Sequence, residues 1–145
     1  MISVRQMDAI AVVDTGSHSV VWAVRGPWQA QHDPRFLDNG HLLLFDNLGA
    51  ARGSRILEYD PQTQAVPWSY SGERGSSFFN AERGMCQRLP NGNTLIVDSN
   101  HGELLEVTPA KELVWSRNTH VHLPFARRYS SDQVEFLKES RRPRP

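Results

Sequence analysis

A tryptophan recurs at Trp22, Trp68 and Trp115, 46 and then 47 residues apart, and each closes a short apolar run. That period limits the possible folds more than any other feature of the chain. Around it the sequence repeats in larger pieces. Residues 36–46 line up with residues 88–98 at an offset of 52. In both, a strand runs into an Asn-Gly pair (Asn39-Gly40, Asn91-Gly92) and out into a second apolar strand, a strong short-range hairpin signal. A tight hairpin of this kind predicts positive φ at both central residues. Residues 55–61 line up with 103–109 at an offset of 48, and a shorter copy occupies Ile10–Gly16 and Val20–Trp22.

Four short strands at this spacing are the pattern of a β-propeller blade. Helical solenoids have similar periods but need a 3.6-residue apolar rhythm, which is absent. The expected fold is all-β, with antiparallel four-stranded repeats making about three blades. Residues 1–26 form a partial blade without a first strand, 27–72 a full one and 76–118 another. The repeated tryptophans are expected to pack between blades rather than to stack on a ligand. After the partial propeller of residues 1–130, Ser130 and Gln133 make a capping-box pattern ahead of Val134, Phe136 and Leu137, predicting a short helix near 131–139. The basic, proline-rich end, 141–145, reads as a frayed tail. Propellers close with about four blades or more, so three leave two sheet faces open. The expectation is a part of a longer propeller, or a chain that associates with itself or with others.

Composition narrows the functional classes. Lys and Arg number 16 and Asp and Glu 16, so no overall field draws nucleic acid or a membrane surface. Cys86 is the single cysteine, which excludes an intramolecular disulfide and a cysteine metal cluster. The first residues do not read as a signal peptide, and no apolar run is long enough for a membrane-spanning helix. The compartment is left open.

Three polar positions stand out. Gln31-His32-Asp33 comes just before the inner strand of the first full blade, and inner strands line a propeller's central channel. Arg52 follows Asp46-Asn47 in a glycine-containing linker, residues 49–55, and a guanidinium there suits the oxygens of a sulfate or phosphate. His101, in Asp98-Ser99-Asn100-His101-Gly102, occupies the corresponding loop of the next blade. Each has a plain structural alternative: a solvated turn histidine, or Arg52 or Arg55 pairing with Glu58. His120 and His122 share a strand face by spacing, but two imidazoles without a third ligand make a poor metal site.

In combination these segments resemble the arylsulfotransferase family. The likeness runs through Gln31-His32-Asp33, Phe45-Asp46-Asn47, Arg52-Gly53 and Ser54–Tyr59. It continues through Phe78-Phe79 with Gly84, Leu89–Leu95, Glu106-Val107 and Val114-Trp115. Ile2–Gln6 looks like the strand that precedes this region in the family. The likeness covers nearly the whole chain, but only the C-terminal half of a typical six-bladed member. It implies transfer of a sulfuryl group from an aryl sulfate ester to a phenolic acceptor through a histidine intermediate, with no nucleotide sulfate donor and no metal or organic cofactor. On that resemblance His101 matches the nucleophile, and His32 and Arg52 match the residues that hold the sulfuryl oxygens. Asn47 and Arg55 join them as substrate-binding candidates. A further family histidine, from earlier blades, has no counterpart here. Full-length relatives are expected to be exported. The expected partners are the aryl sulfate and the phenol. The competing reading is a non-catalytic propeller module that binds a small anion or a protein, since a scaffold does not assign a chemistry.

Overall fold

Strand-forming runs separated by Asn, Asp, Gly and Pro give eleven strands among the residues that the computed structural model describes, 1–50, 53–72 and 78–136. Three form the first blade: β1 (Ile2–Val4), β2 (Ala9–Asp14) and β3 (Ser19–Arg25). Four form the second: β4 (His32–Phe36), β5 (Leu42–Ala50), β6 (Gly53–Tyr59) and β7 (Trp68–Tyr70). The third holds β8 (Met85–Arg88), β9 (Thr94–Asp98), β10 (Glu103–Val107) and β11 (Leu113–Asn118). Each strand pairs antiparallel with its neighbour in the chain, and the three sheets do not share strands. The fold is all-β, as the repeat predicted.

The turns show why the repeat is visible in sequence. Leading into the last strand of each blade, Asp14 accepts from the Gly16 and Ser17 amides, and Asp60 from the Gln62 amide and the Thr63 hydroxyl. Thr108 does the same for the Glu112 amide. A left-handed residue follows in each turn, with φ of 53° at His18, 61° at Gln64 and 72° at Lys111.

The Asn-Gly hairpins differ from expectation. The Gly40 amide donates to the Leu37 carbonyl and the Leu37 amide to the His41 carbonyl, and Gly92 and Leu89 repeat this with Asn93. These are three-residue loops, a turn followed by one left-handed glycine, so only Gly40 (φ 83°) and Gly92 (φ 85°) need positive φ. The asparagines serve differently: their side-chain oxygens accept the His41 and Asn93 amides.

Both faces of the middle blade are buried, which is why β5 reads as an unbroken apolar run rather than an alternation. Leu42, Leu44, Leu57 and Tyr59 pack with Ile10 and Trp28 toward the first blade. Leu43, Phe45 and Ile56 pack with Tyr70, Phe78, Cys86, Ile96 and Val107 toward the third. Each such aliphatic or Phe side chain contributes about 1.5–3 kcal/mol by leaving water. Gly84 is obligatory at this seam. Its φ is 116°, and a Cβ there would lie 2.5 Å from the Phe45 ring.

Two of the three repeated tryptophans pack between blades. Trp22 lies against the first cluster with its ring 6.4 Å from Phe36 of the second blade. Trp68 lies against the second cluster and donates its indole N–H to the Pro109 carbonyl of the third blade, at 2.9 Å. Trp115 is 40% exposed.

Beyond β11 the chain turns back along the third blade: the Leu123 amide donates to the Ser99 carbonyl. Of the helix expected near 131–139, the described residues hold a 3-10 turn over Ser131–Gln133 with its capping box, an extended residue at Val134 (φ −124°), and helical backbone at Glu135 and Phe136. The rest of that span, and the basic tail, lie outside the described residues. No helix among the described residues is long and apolar enough to cross a membrane.

Candidate functional site

His32 at the start of β4, Asn47 in β5, Arg83 ahead of β8 and His101 between β9 and β10 are brought together by hydrogen bonds across the boundary of the second and third blades.

His32 opens β4 and is half-buried. Its Nδ1 lies 2.8 Å from Asn47 Oδ1. Asn47 is fully buried, and its Nδ2 donates to the carbonyls of Asn80 (2.6 Å) and Arg83 (2.5 Å). Two carbonyls fix which end of the amide is nitrogen. Asn47 therefore presents oxygen to His32, His32 must carry its proton on Nδ1, and Nε2 keeps the lone pair when the ring is neutral.

His101 is held the same way by a carboxylate. Its Nδ1 is 3.0 Å from both oxygens of Asp98, the last residue of β9. Asp98 is buried, accepts the His101 amide as well, and takes a bond from Asn80 Nδ2 at 2.7 Å. Here too Nδ1 is engaged and Nε2 is left outward. A carboxylate behind an imidazole orients the ring and stabilises its cationic form.

Asn80 joins the two. Its carbonyl accepts from Asn47 and its side chain donates to Asp98, so hydrogen bonds run unbroken from His32 through Asn47, Asn80 and Asp98 to His101. Ser54 bridges the same loops, donating to the Asn47 carbonyl and accepting the Asn80 amide, both at 2.9 Å. The linkage crosses the boundary between the second and third blades.

His101 opens on a cleft of about 480 Å³, lined also by Tyr70, Phe78, Glu103, Ser116 and Asn118. That size suits a small aromatic ester. His32 does not line this cleft. The structure thus connects the two histidines through bonds rather than through a shared cavity. His101's side chain is 60% exposed.

The remaining candidates separate. Arg55 pairs with Asp46 (Nε to Oδ2, 2.7 Å) and reaches the Pro27 carbonyl, not Glu58, which instead takes Arg88 and His41. Its guanidinium is tied into the loop. Asn47 has every polar atom of its side chain occupied. Arg52 lies outside the described residues. The linker glycine Gly49 is fixed by packing: a Cβ would fall 2.2 Å from the Asp46 carboxylate. His120 and His122 do not share a strand face, because β11 ends at Asn118 and His120 is left-handed (φ 58°). His122 meets Arg83, Nη1 to Nε2 at 3.0 Å. No group of three His, Cys, Asp or Glu suited to a metal occurs among the described residues.

Sequence reasoning missed Asn80 and Arg83. Neither has a counterpart in the repeat, so no internal comparison marks them. Asp98 had a signal: it stands at the offset of 52 from Asp46, and both are buried carboxylates that gather loop amides.

No curated protein matches the chain. A crystal structure of a protein of unknown function from Bacteroides caccae is similar in fold, with a TM-score of 0.50 and 21% identity. The likeness covers 72% of this chain, and the chain spans only 37% of that protein's length. It speaks to the fold alone. The sequence profile described as Arylsulfotransferase (ASST) matches residues 1–120. That span takes in all three blades and the whole linkage from His32 to His101, and on it the chain belongs to the arylsulfotransferase family.

Proposed function

We propose that this chain carries the sulfuryl-accepting side of an aryl-sulfate sulfotransferase, with His101 as nucleophile. The observation behind this reading is the paired orientation of two imidazoles, each bonded through Nδ1, joined by one run of hydrogen bonds through Asn47, Asn80 and Asp98. In the reaction the Nε2 lone pair of His101 attacks sulfur. The bond between sulfur and the aryl oxygen breaks, and the departing phenolate takes a proton from water. A phenol oxygen then attacks the sulfuryl group on His101 as its proton passes to water, the N–S bond breaks, and the neutral imidazole is restored. One proton is taken up and one released, so atoms and charge balance without a redox partner. Asp98 stabilises the positive charge that His101 gains on attack. On the family resemblance His32 and Arg52 fall to the sulfuryl oxygens, although His32 does not line the cleft on which His101 opens, and two half-reactions predict ping-pong kinetics.

The second reading, a module that binds a small anion without turning it over, is favoured by the exposure of His101. One experiment separates them. Incubation with a nitrophenyl sulfate should release nitrophenol and leave a sulfuryl adduct on His101, read by mass spectrometry, and His101→Ala should lose both. Phenol release with the adduct on another residue would move the nucleophile. Neither release nor adduct would leave the binding module as the better account.

A further inference from the structure

The bulge that follows His32 is held from the third blade. Between the pairs His32–Phe45 and Arg35–Leu43, β4 takes three steps to the two of β5. Residues three apart in a regular strand face opposite ways, whereas Leu43, Phe45 and Asn47 share a face. The extra residue therefore re-aims His32 relative to Arg35 and keeps it beside Asn47. The backbone at Asp33 is left-handed, with φ 49°. That region is disfavoured for a residue with a side chain. Pro34 comes next, and a proline pushes the residue before it toward extended backbone. Such a conformation persists only where its surroundings over-determine it.

The Asp33 carboxylate is what its surroundings hold. Arg35 donates Nε and Nη2 to Oδ1, at 3.1 and 3.0 Å. The Cys86 amide donates to Oδ2 at 3.2 Å. Arg127 Nη2 lies 2.9 Å from both oxygens, and its Nη1 donates to the Cys86 carbonyl at 3.0 Å. One guanidinium, its side chain 7% exposed, thus ties the bulge of β4 to β8. Its neighbour goes the other way. Arg128 pairs with Glu106 and lies 5.3 Å over the Trp115 ring. Arg88 does the same with Glu58, at 2.6 Å, and with Trp68, at 4.9 Å. Glu106 and Trp115 are the repeat equivalents of Glu58 and Trp68. Gln87 donates to the Arg128 carbonyl and accepts its amide, which fixes the backbone that presents Arg127.

We propose that Asp33 and Arg127 are positioning residues that aim His32. The clamp holds the left-handed backbone, the backbone holds the bulge, and the bulge sets the imidazole so that Nδ1 reaches Asn47 Oδ1 at 2.8 Å and Nε2 keeps its lone pair. Neither residue lines the cleft of His101, so both act through His32. The part His32 plays at the sulfuryl oxygens rests on the sulfuryl-transfer reading; the aim of its ring does not. A salt bridge that only joined the two blades would leave the state of the imidazole indifferent to its loss.

Nitrogen–proton correlation spectra of the isotope-labelled chain, taken where the ring is neutral, report the tautomer directly. His32, assigned by the peaks that His32→Gln loses, should show one form with its proton on Nδ1. Arg127→Gln removes the fork, and His32 should then show both tautomers while His101, held by Asp98, keeps its own. Asp33→Asn tolerates the left-handed backbone but trades an acceptor for a donor. It should shift His32 the same way by less, and it decides the matter if Arg127→Gln does not fold. In the double variant Arg127→Gln, Asp33→Gly, glycine takes positive φ without a clamp, and the single tautomer should return. Folded variants in which His32 keeps its wild-type signals would overturn the proposal. So would a loss that glycine does not reverse, which would leave Arg127 a packing role alone. Under the sulfuryl-transfer reading, kcat/KM for a nitrophenyl sulfate should fall with the tautomer, by up to about a hundredfold. A wild-type chain without turnover counts against that reading, and the spectra still decide the clamp.

Discussion

Two residues set the orientation of the candidate histidines without facing a substrate. Asn47 spends its amide nitrogen on two carbonyls and its oxygen on His32, and Asp98 divides its oxygens among Asn80 and His101. This makes a near-isosteric change at Asn47 informative. In Asn47→Asp a carboxylate oxygen would face the Asn80 and Arg83 carbonyls, losing two donors in a buried site. We expect a loss of about 1–3 kcal/mol in stability, the cost of leaving buried groups unsatisfied, measured by urea unfolding. Unchanged stability would mean that the loop holds without this amide. The loop of His101 was legible in sequence because it stands, at an offset of 52, where the Asp46-Asn47 loop stands in the preceding blade, and His32 was marked by its place at the start of an inner strand. Asn80 was not, because what makes it important is a fold-imposed meeting of three loops separated by tens of residues, and it resembles nothing in the neighbouring blades.

At the scale of the element, the clasp of Arg128 on Glu106 and Trp115 decides where the C-terminal segment lies. Asn93's hydrogen bond, above all, holds the Glu106 carboxyl below its usual 4.5, with Arg128 and Asn91 adding to it and burial opposing. A depressed acid contributes stability above its unfolded value and loses it as pH falls through the folded one. Acidification below about 4.5 should therefore loosen the segment, seen as a falling thermal midpoint, and Glu106→Gln should remove that part of the slope. Asp33 acts in the opposite sense, since burial raises its carboxyl, so the difference between wild type and Glu106→Gln is the quantity to read. An identical slope in both proteins would assign the effect elsewhere. This clasp was half legible: Glu106 and Trp115 follow the repeat, but Arg128 arrives 13 residues after its tryptophan where Arg88 arrives after 20. The hairpin turns were legible in place and not in type, because Asn-Gly fits more than one loop and the length of the loop decides.

For the whole molecule, the period of the tryptophans carried the architecture, since each marks the surface one blade offers to the next. What periodicity did not carry was which face would be covered. Phe45 and Cys86, 41 residues apart, meet only because the second and third blades stack. That meeting gives the protein a built-in reporter. Its one thiol is buried inside the seam, and burial, with Asp33 nearby, pushes it well above its usual 9.0. A closed seam presents no thiolate to an alkylating reagent. Labelling must then proceed at the frequency with which the two sheets part, and faster labelling that leaves the fold intact would mean a path to the sulfur other than separation. A single mass shift on Cys86 becomes a clock for blade separation, kept by the protein without any engineered probe.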